Sequence, residues 1–171
     1  ITAFYLLVFG LKVFKVTGID LNLQFPAEWE TARKNKFAQG YTKPGPRDYV
    51  GTAPLVAQEA LALYNFTLQK SFSLILAYHT QGETIYWKFL NYLPPNSYEI
   101  GRHFSQVSSY LLESTPYTSG FAGYKDWFIQ NYKLPGYTIE SGLGENPLPI
   151  SQFQDIYSKN IGILILGMLL I

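Results

Sequence analysis

One stretch, Phe72-Ser73-Leu74-Ile75-Leu76-Ala77-Tyr78, runs with a single small polar interruption and stops on His79. It is too short for an ordinary buried helix, and it lacks the alternation of a strand with one wet face. It therefore reads as a strand covered on both sides, the signature of a largely parallel sheet sandwiched between helices. The flanking segments support this. Thr52 and Pro54 predict a helix start, with Leu55, Gln58, Glu59, Ala62 and Phe66 stepping along it to an end near Gln69. Gly82 predicts a turn into a second strand, and Pro94-Pro95-Asn96-Ser97 leads a helix with an apolar stripe of Ile100, Phe104, Val107 and Leu111. Asp126 to Tyr132 reads as a short helix, Tyr137 to Glu140 as a strand, and Pro149 to about Lys159 as the start of a terminal helix. Ile1 to Val16 reads as β-rich. The charged, Gly- and Pro-broken stretch from Ala27 to Gly51 reads mostly as surface loop. Strands alternating with helices predict an α/β sandwich.

A chain of 171 residues buries enough surface for one domain without metal or disulfide staples. The net charge of +1, with Lys and Arg scattered singly, offers no basic stripe for nucleic acid. The absence of cysteine excludes thiolate metal sites and a cysteine nucleophile, so any metal would need His and carboxylate ligands. The apolar ends, ITAFYLLVFG and IGILILGMLLI, are neither a signal peptide nor a membrane span. They are expected to be a buried strand and a terminal core helix, and the start at Ile1 suggests preceding sequence that is absent. GLGENP lacks the third glycine of a dinucleotide fingerprint and the Lys of a P-loop.

The predicted strands end on chemically competent side chains. The apolar run delivers His79, and the segment Tyr137 to Glu140 delivers a carboxylate just before the turn SGLGENP. In open α/β sheets ligands bind beyond the carboxyl ends of the strands, which marks both as site candidates. The ordinary alternatives are a hydrogen-bonded structural histidine and a solvated glutamate. His103, inside a predicted amphipathic helix, is read as structural.

Five segments in order resemble the zinc carboxypeptidase family of the carboxypeptidase A type. They are GIDLNLQFP, RDYVGTAPLVAQE, LILAYHTQGE, GYKDWFIQNYKLPGYTIE and PLPISQF. Within that family they are most similar to the bacterial branch of γ-D-glutamyl-L-diamino acid endopeptidases. The resemblance implies a mixed-sheet α/β/α sandwich forming one partial catalytic domain over 1–171, with its N-terminal part missing. It implies a zinc metallopeptidase acting on peptidoglycan-derived peptides in the bacterial cell wall, in the spore or after secretion. By resemblance His79 is a zinc ligand, Glu140 the catalytic base, Tyr117 the mobile tyrosine that closes over substrate, and Asn22 a substrate-binding residue. Lys125 falls at the base of the specificity pocket, where it would pair with the extra carboxylate of a diaminopimelate side chain; a solvated lysine is the alternative.

Two departures matter. Leu23 stands where true carboxypeptidases carry an Arg, and Leu cannot offer a bidentate fork to a terminal carboxylate. The His-x-x-Glu motif that supplies the other two zinc ligands is absent. Two expectations follow: a zinc peptidase impaired when this chain stands alone, or a non-catalytic carboxypeptidase-like module that binds cell-wall peptides.

Overall fold

A computed structural model of the chain describes residues 8–9 and 17–170. Most of the β-rich reading of Ile1 to Val16 lies outside the described residues; within them, β1 (Val8–Phe9) is a strand. The remaining elements are α1 (Trp29–Ala38), α2 (Gln58–Leu68), β2 (Ile75–His79), β3 (Thr84–Tyr86), α3 (Ser97–Ser108), β4 (Leu111–Glu113), α4 (Tyr124–Tyr132), β5 (Gly136–Glu140) and α5 (Phe153–Leu169). The strands form one mixed sheet in the order β1-β2-β5-β3-β4. β1, β2 and β5 run parallel, β3 runs antiparallel to β5, and β4 is parallel to β3.

The apolar run behaves as its composition requires. Ile75, Leu76, Ala77 and Tyr78 are all buried, because β2 lies between β1 and β5 with a packed layer on each face. Successive side chains of a strand point to opposite faces, and the two faces feed separate cores. Ile75 and Ala77 join Leu23, Phe25, Trp29, Trp127 and Ile129 on the side of α1, α2 and α4. Leu74, Leu76 and Tyr78 join Tyr137, Ile139, Phe104 and Ile163 on the side of α3 and α5. The result is the expected α/β/α sandwich.

Three local expectations are corrected. The stretch from Ala27 to Gly51 is not mostly loop, since α1 occupies Trp29–Ala38. Trp29, Ala32 and Lys36 fall on one helical face and are buried, while Glu30, Arg33 and Lys34 take the charges that suggested a loop on the outer faces. α2 begins at Gln58 rather than near Thr52. The buried Gln24 side chain holds the preceding segment in irregular form, donating to Val50 O at 2.6 Å and accepting from Ala57 N at 2.9 Å. The buried face of α2 is Ala60 and Thr67, and the stripe expected at Gln58, Glu59, Ala62 and Phe66 is exposed.

The third correction concerns α3. Ile100 and Phe104 are buried as expected, but Val107 and Leu111 are exposed, and Leu111 already belongs to β4. Gly101 instead brings the helix close to the sheet. A Cβ there would lie 2.8 Å from Leu112 Cδ1 and 3.2 Å from Tyr137 Cε1. Gly101→Ala is expected to cost about 1–3 kcal/mol by overpacking, read as a lower urea midpoint at unchanged slope.

Candidate functional site

Parallel pairing of β2 with β5 places Ala77 opposite Thr138 and His79 opposite Glu140. On the other side of β5, Thr84 lies opposite Glu140 and Tyr86 opposite Thr138. Directly opposed residues share a face, so Ala77, His79, Thr138, Glu140 and Tyr86 form the floor of one cleft. It opens at the carboxyl edge of β2 and β5 and has a volume of about 260 Å³. Ala77 and Thr138 are small, which leaves room above the strands for a ligand.

The wall beside His79 comes from the turn Leu21–Leu23. Asp20 Oδ1 accepts from Asn22 N at 3.1 Å, capping that turn, and Asp20 Oδ2 accepts from Asp48 N at 2.8 Å. The turn thereby aims Asn22 at the histidine, with Asn22 Nδ2 and His79 Nδ1 3.3 Å apart. With the amide as donor, the imidazole carries its lone pair at Nδ1. Burial lowers the His79 pKa, and the nearby Asp20 opposes without overcoming it. The ring is therefore neutral at neutral pH, the form that ligates metals.

Glu140 is displaced the other way. Burial pushes its carboxyl up to about 7 from the ordinary 4.5. At neutral pH the group is poised between accepting and giving a proton, the condition for general acid–base work. Tyr86 stands in the same cleft, and burial together with the charges of Glu140 and Glu113 raises its phenol pKa.

Lys36 and Asp48 also line the cleft, and both side chains are nearly buried. Lys36 Nζ lies 2.6 Å from Asp48 Oδ1, while the exposed Arg47 holds the other carboxylate oxygen. Burial of Asp48 raises its pKa, but the hydrogen bonds and charges of Lys36 and Arg47 outweigh that and hold it below the ordinary value.

Of the residues singled out from sequence, His79, Glu140, Asn22 and Lys125 meet in this cleft. Lys125 is only 4% exposed. Its ammonium donates to Lys88 O at 2.8 Å and Thr115 Oγ1 at 3.2 Å and lies 2.7 Å from Asp126 Oδ1. It is thus a wall strut with three partners, not a solvated lysine. Tyr117 is 67% exposed and packs edge-on against Phe121, with ring centroids 5.0 Å apart. It lines an adjoining hollow of about 220 Å³ with Lys88, Phe89 and Asn91, next to the cleft that holds Glu140. Thr115 borders both spaces. Leu23 is buried in the core beside α4. His103 lies on α3, which packs against the opposite face of the sheet.

Sequence reading missed Tyr86, Lys36, Asp48 and Asp20. For Asp20 a signal existed, since an Asp two residues before Asn22 is an ordinary cap for a turn. For the Lys36–Asp48 pair there was none, because nothing local announces that two charges in a polar stretch will be buried together.

Among the described residues no group of three His, Cys, Asp or Glu side chains is assembled to hold a metal. Residues 1–16 and Ile171 contain none of these types. A catalytic zinc site takes three protein ligands, and His79 supplies one imidazole. The donor set of this chain does not complete such a site.

Comparison with known proteins adds to this geometry. Residues 11–161 match the family described as zinc carboxypeptidase. The chain is 48% identical over 155 residues to γ-D-glutamyl-L-diamino acid endopeptidase 1 of Lysinibacillus sphaericus, a match covering 91% of this chain and 38% of that protein. Carboxypeptidase A of Helicoverpa armigera superposes with a TM-score of 0.67 at 17% identity, covering 94% of this chain and 44% of that one. Murein-tripeptide amidase of Escherichia coli O157 superposes with a TM-score of 0.58 at 19% identity, covering 89% and 59% respectively. The chain therefore spans well under half the length of the endopeptidase it matches.

Proposed function

Because this chain belongs to the zinc carboxypeptidase family, we propose that it carries the base-bearing, substrate-facing part of a zinc metallopeptidase site. The bond cleaved is the γ-D-glutamyl–diamino acid amide of peptidoglycan peptides. The observation that supports this most strongly is the register of β2 and β5, which sets His79 beside Glu140 in one cleft with Asn22. Glu140 takes a proton from the water that attacks the γ-carbonyl carbon and passes it to the leaving amine nitrogen. A carboxyl with a pKa of about 7 can do both. His79 is one metal ligand of the complete site, Asn22 faces the substrate, and Lys125, held by its three partners, braces the cleft wall along which the substrate's extra carboxylate would lie. Tyr117, exposed on the neighbouring turn, closes over it.

Leu23 lies in the core and gives the cleft no fork for a terminal carboxylate. That favours an endopeptidase over a carboxypeptidase. Such a substrate places the action at the bacterial cell wall, in the spore or outside the cell. Among the described residues no helix is long and apolar enough to cross a membrane.

Since one imidazole does not hold catalytic zinc, the 171-residue chain is expected to bind zinc below one equivalent and to hydrolyse γ-D-glutamyl-diaminopimelate peptides slowly. Zinc content by atomic absorption, peptide binding by calorimetry and hydrolysis by chromatography check this. Peptide binding that falls in Asn22→Ala supports the site. Stoichiometric zinc with rapid hydrolysis refutes the impaired state, and a chain that binds no peptide refutes the substrate. The single imidazole also favours a second reading, a non-catalytic module that holds cell-wall peptides through Asn22, Tyr117 and Lys125. Peptide binding with hydrolysis absent even under saturating zinc would select it.

A further inference from the structure

The sheet ladder between β2 and β5 ends at His79 and Glu140, yet the two segments stay joined beyond it. Ser141 N donates to His79 O at 2.8 Å, and Gly82 N donates to Gly142 O at 2.8 Å. Farther out the contact passes to side chains. Thr80 Oγ1 donates to Asn146 Oδ1 at 2.8 Å, and Asn146 Nδ2 donates back to Thr80 O at 2.9 Å. This two-bond bridge joins positions 66 apart in sequence, one of them the residue directly after His79.

The same loops are anchored to the start of α5. Gln152 takes both backbone groups of Leu143, accepting from its N at 3.1 Å and donating to its O at 2.7 Å. Lys159 Nζ lies 2.6 Å from Glu83 Oε1. Each loop thus has its own tether to the helix, and Asn146 joins one loop to the other.

We propose that Asn146 is a positioning residue for the site, its carboxamide latching the loop after His79 onto the loop after Glu140. Core packing does not require this bridge. Thr80 is exposed, Asn146 is partly exposed, and the register of β2 on β5 is already set by the paired residues from Ile75–Gly136 to His79–Glu140. What the bridge constrains is the carboxyl edge of the sheet, where the imidazole and the carboxyl must keep a fixed separation. Catalytic groups held loosely lose much of the benefit of being brought together. Asn suits the task because one planar amide both donates and accepts, so it returns the hydroxyl's hydrogen bond and satisfies a strand-exit carbonyl at once.

The functional consequence rests on the reading of His79 and Glu140 as the acting pair, but the latch can be tested separately. In Asn146→Ala, amide hydrogen exchange at Gly82 and Ser141 is expected to rise roughly tenfold to a hundredfold. Exchange at Leu76 and Ile139 within the ladder should stay unchanged. The His79 imidazole signal should shift and broaden in nitrogen–proton spectra. His103, the other histidine of the chain, serves as the internal control. Thr80→Val, which removes one of the two bonds, should give a smaller change of the same kind, and Thr80→Ser, which keeps the hydroxyl, should match the wild type. Unchanged exchange at Gly82 and Ser141 in Asn146→Ala overturns the latch, as does an equal rise at Ile139 or an equal shift at His103. A Glu140→Gln variant that kept full hydrolysis would instead overturn the proposed function and leave the exchange result standing.

Discussion

In a protein that supplies the remaining zinc ligands, Glu140→Gln is expected to lower hydrolysis of a γ-D-glutamyl-diaminopimelate peptide by about 10²–10⁴-fold, the usual contribution of a positioned general base. The same substitution is expected to stabilise the protein above pH 7. The sign follows from linkage. Burial raises the native carboxyl pKa to about 7, while the unfolded chain titrates near 4.5. Between those values the native state binds more protons than the unfolded one, so stability falls as the pH rises through that window. Above pH 7 the native state carries a desolvated charge, and the uncharged glutamine does not. The gain is roughly 1–3 kcal/mol, reduced from the full shift because the carboxyl borders an open cleft. Urea unfolding of both proteins at pH 4 and pH 8 measures it. A gain equal at both pH values would show that the carboxyl is not held in a desolvated site. Loss of activity with a gain in stability is the mark of a group placed for chemistry.

Asp48→Asn is expected to cost about 3–5 kcal/mol, because it leaves the Lys36 ammonium buried without a counter-ion. The side chains of Lys36 and Asp48 are 9% and 11% exposed, so water cannot take the place of the carboxylate. The charge matters more than the volume, since asparagine is nearly isosteric. The double variant Lys36→Met/Asp48→Leu removes both charges and should recover most of the loss. A double variant as unstable as Asp48→Asn would mean that the hydrogen bonds accepted by the Asp48 side chain, including that from Arg47, dominate over the buried charge. The pH dependence of this pair is opposite to that of Glu140. Lys36 and Arg47 hold the native Asp48 pKa below 3.8 against the upward push of burial. Its stabilisation is therefore present above that value and is lost as the pH falls below it. Two carboxyls in one cleft thus give stability opposite slopes, one in the acid range and one between pH 4.5 and 7.

Much of the architecture was legible locally. The run ending at His79 could hardly be anything but a strand covered on both faces, and it lies second in the sheet, between the edge strand β1 and β5. The strand reaching Glu140, the helix after Pro94-Pro95 and the terminal helix all fall where turn residues and apolar spacing placed them. α1 was hidden because its buried face includes Lys36, so apolar periodicity was broken at the position that packs inward. The true face of α2 was hidden for a related reason. Gln24, far upstream, accepts from Ala57 N at the start of that helix, and packing against such distant segments sets which residues face inward. Val107 and Leu111 misled because the approach of α3 depends on Gly101, which carries no side chain to count.

The site divides along the same line. Sequence alone determined that two strands end in an imidazole and a carboxyl, because strand propensity and chain punctuation are local properties. It also determined that the chain carries no His-x-x-Glu motif, because a motif is read along the chain without its fold. Only the tertiary structure decided that His79 and Glu140, 61 residues apart, are register partners in adjacent parallel strands. It likewise decided that Lys125 is braced by three partners and that Tyr117 stands on a neighbouring turn. The raised pKa of Glu140 belongs to the fold as well. A carboxyl titrates according to the water it has lost, and that loss is set by chain segments brought over it from elsewhere in the sequence.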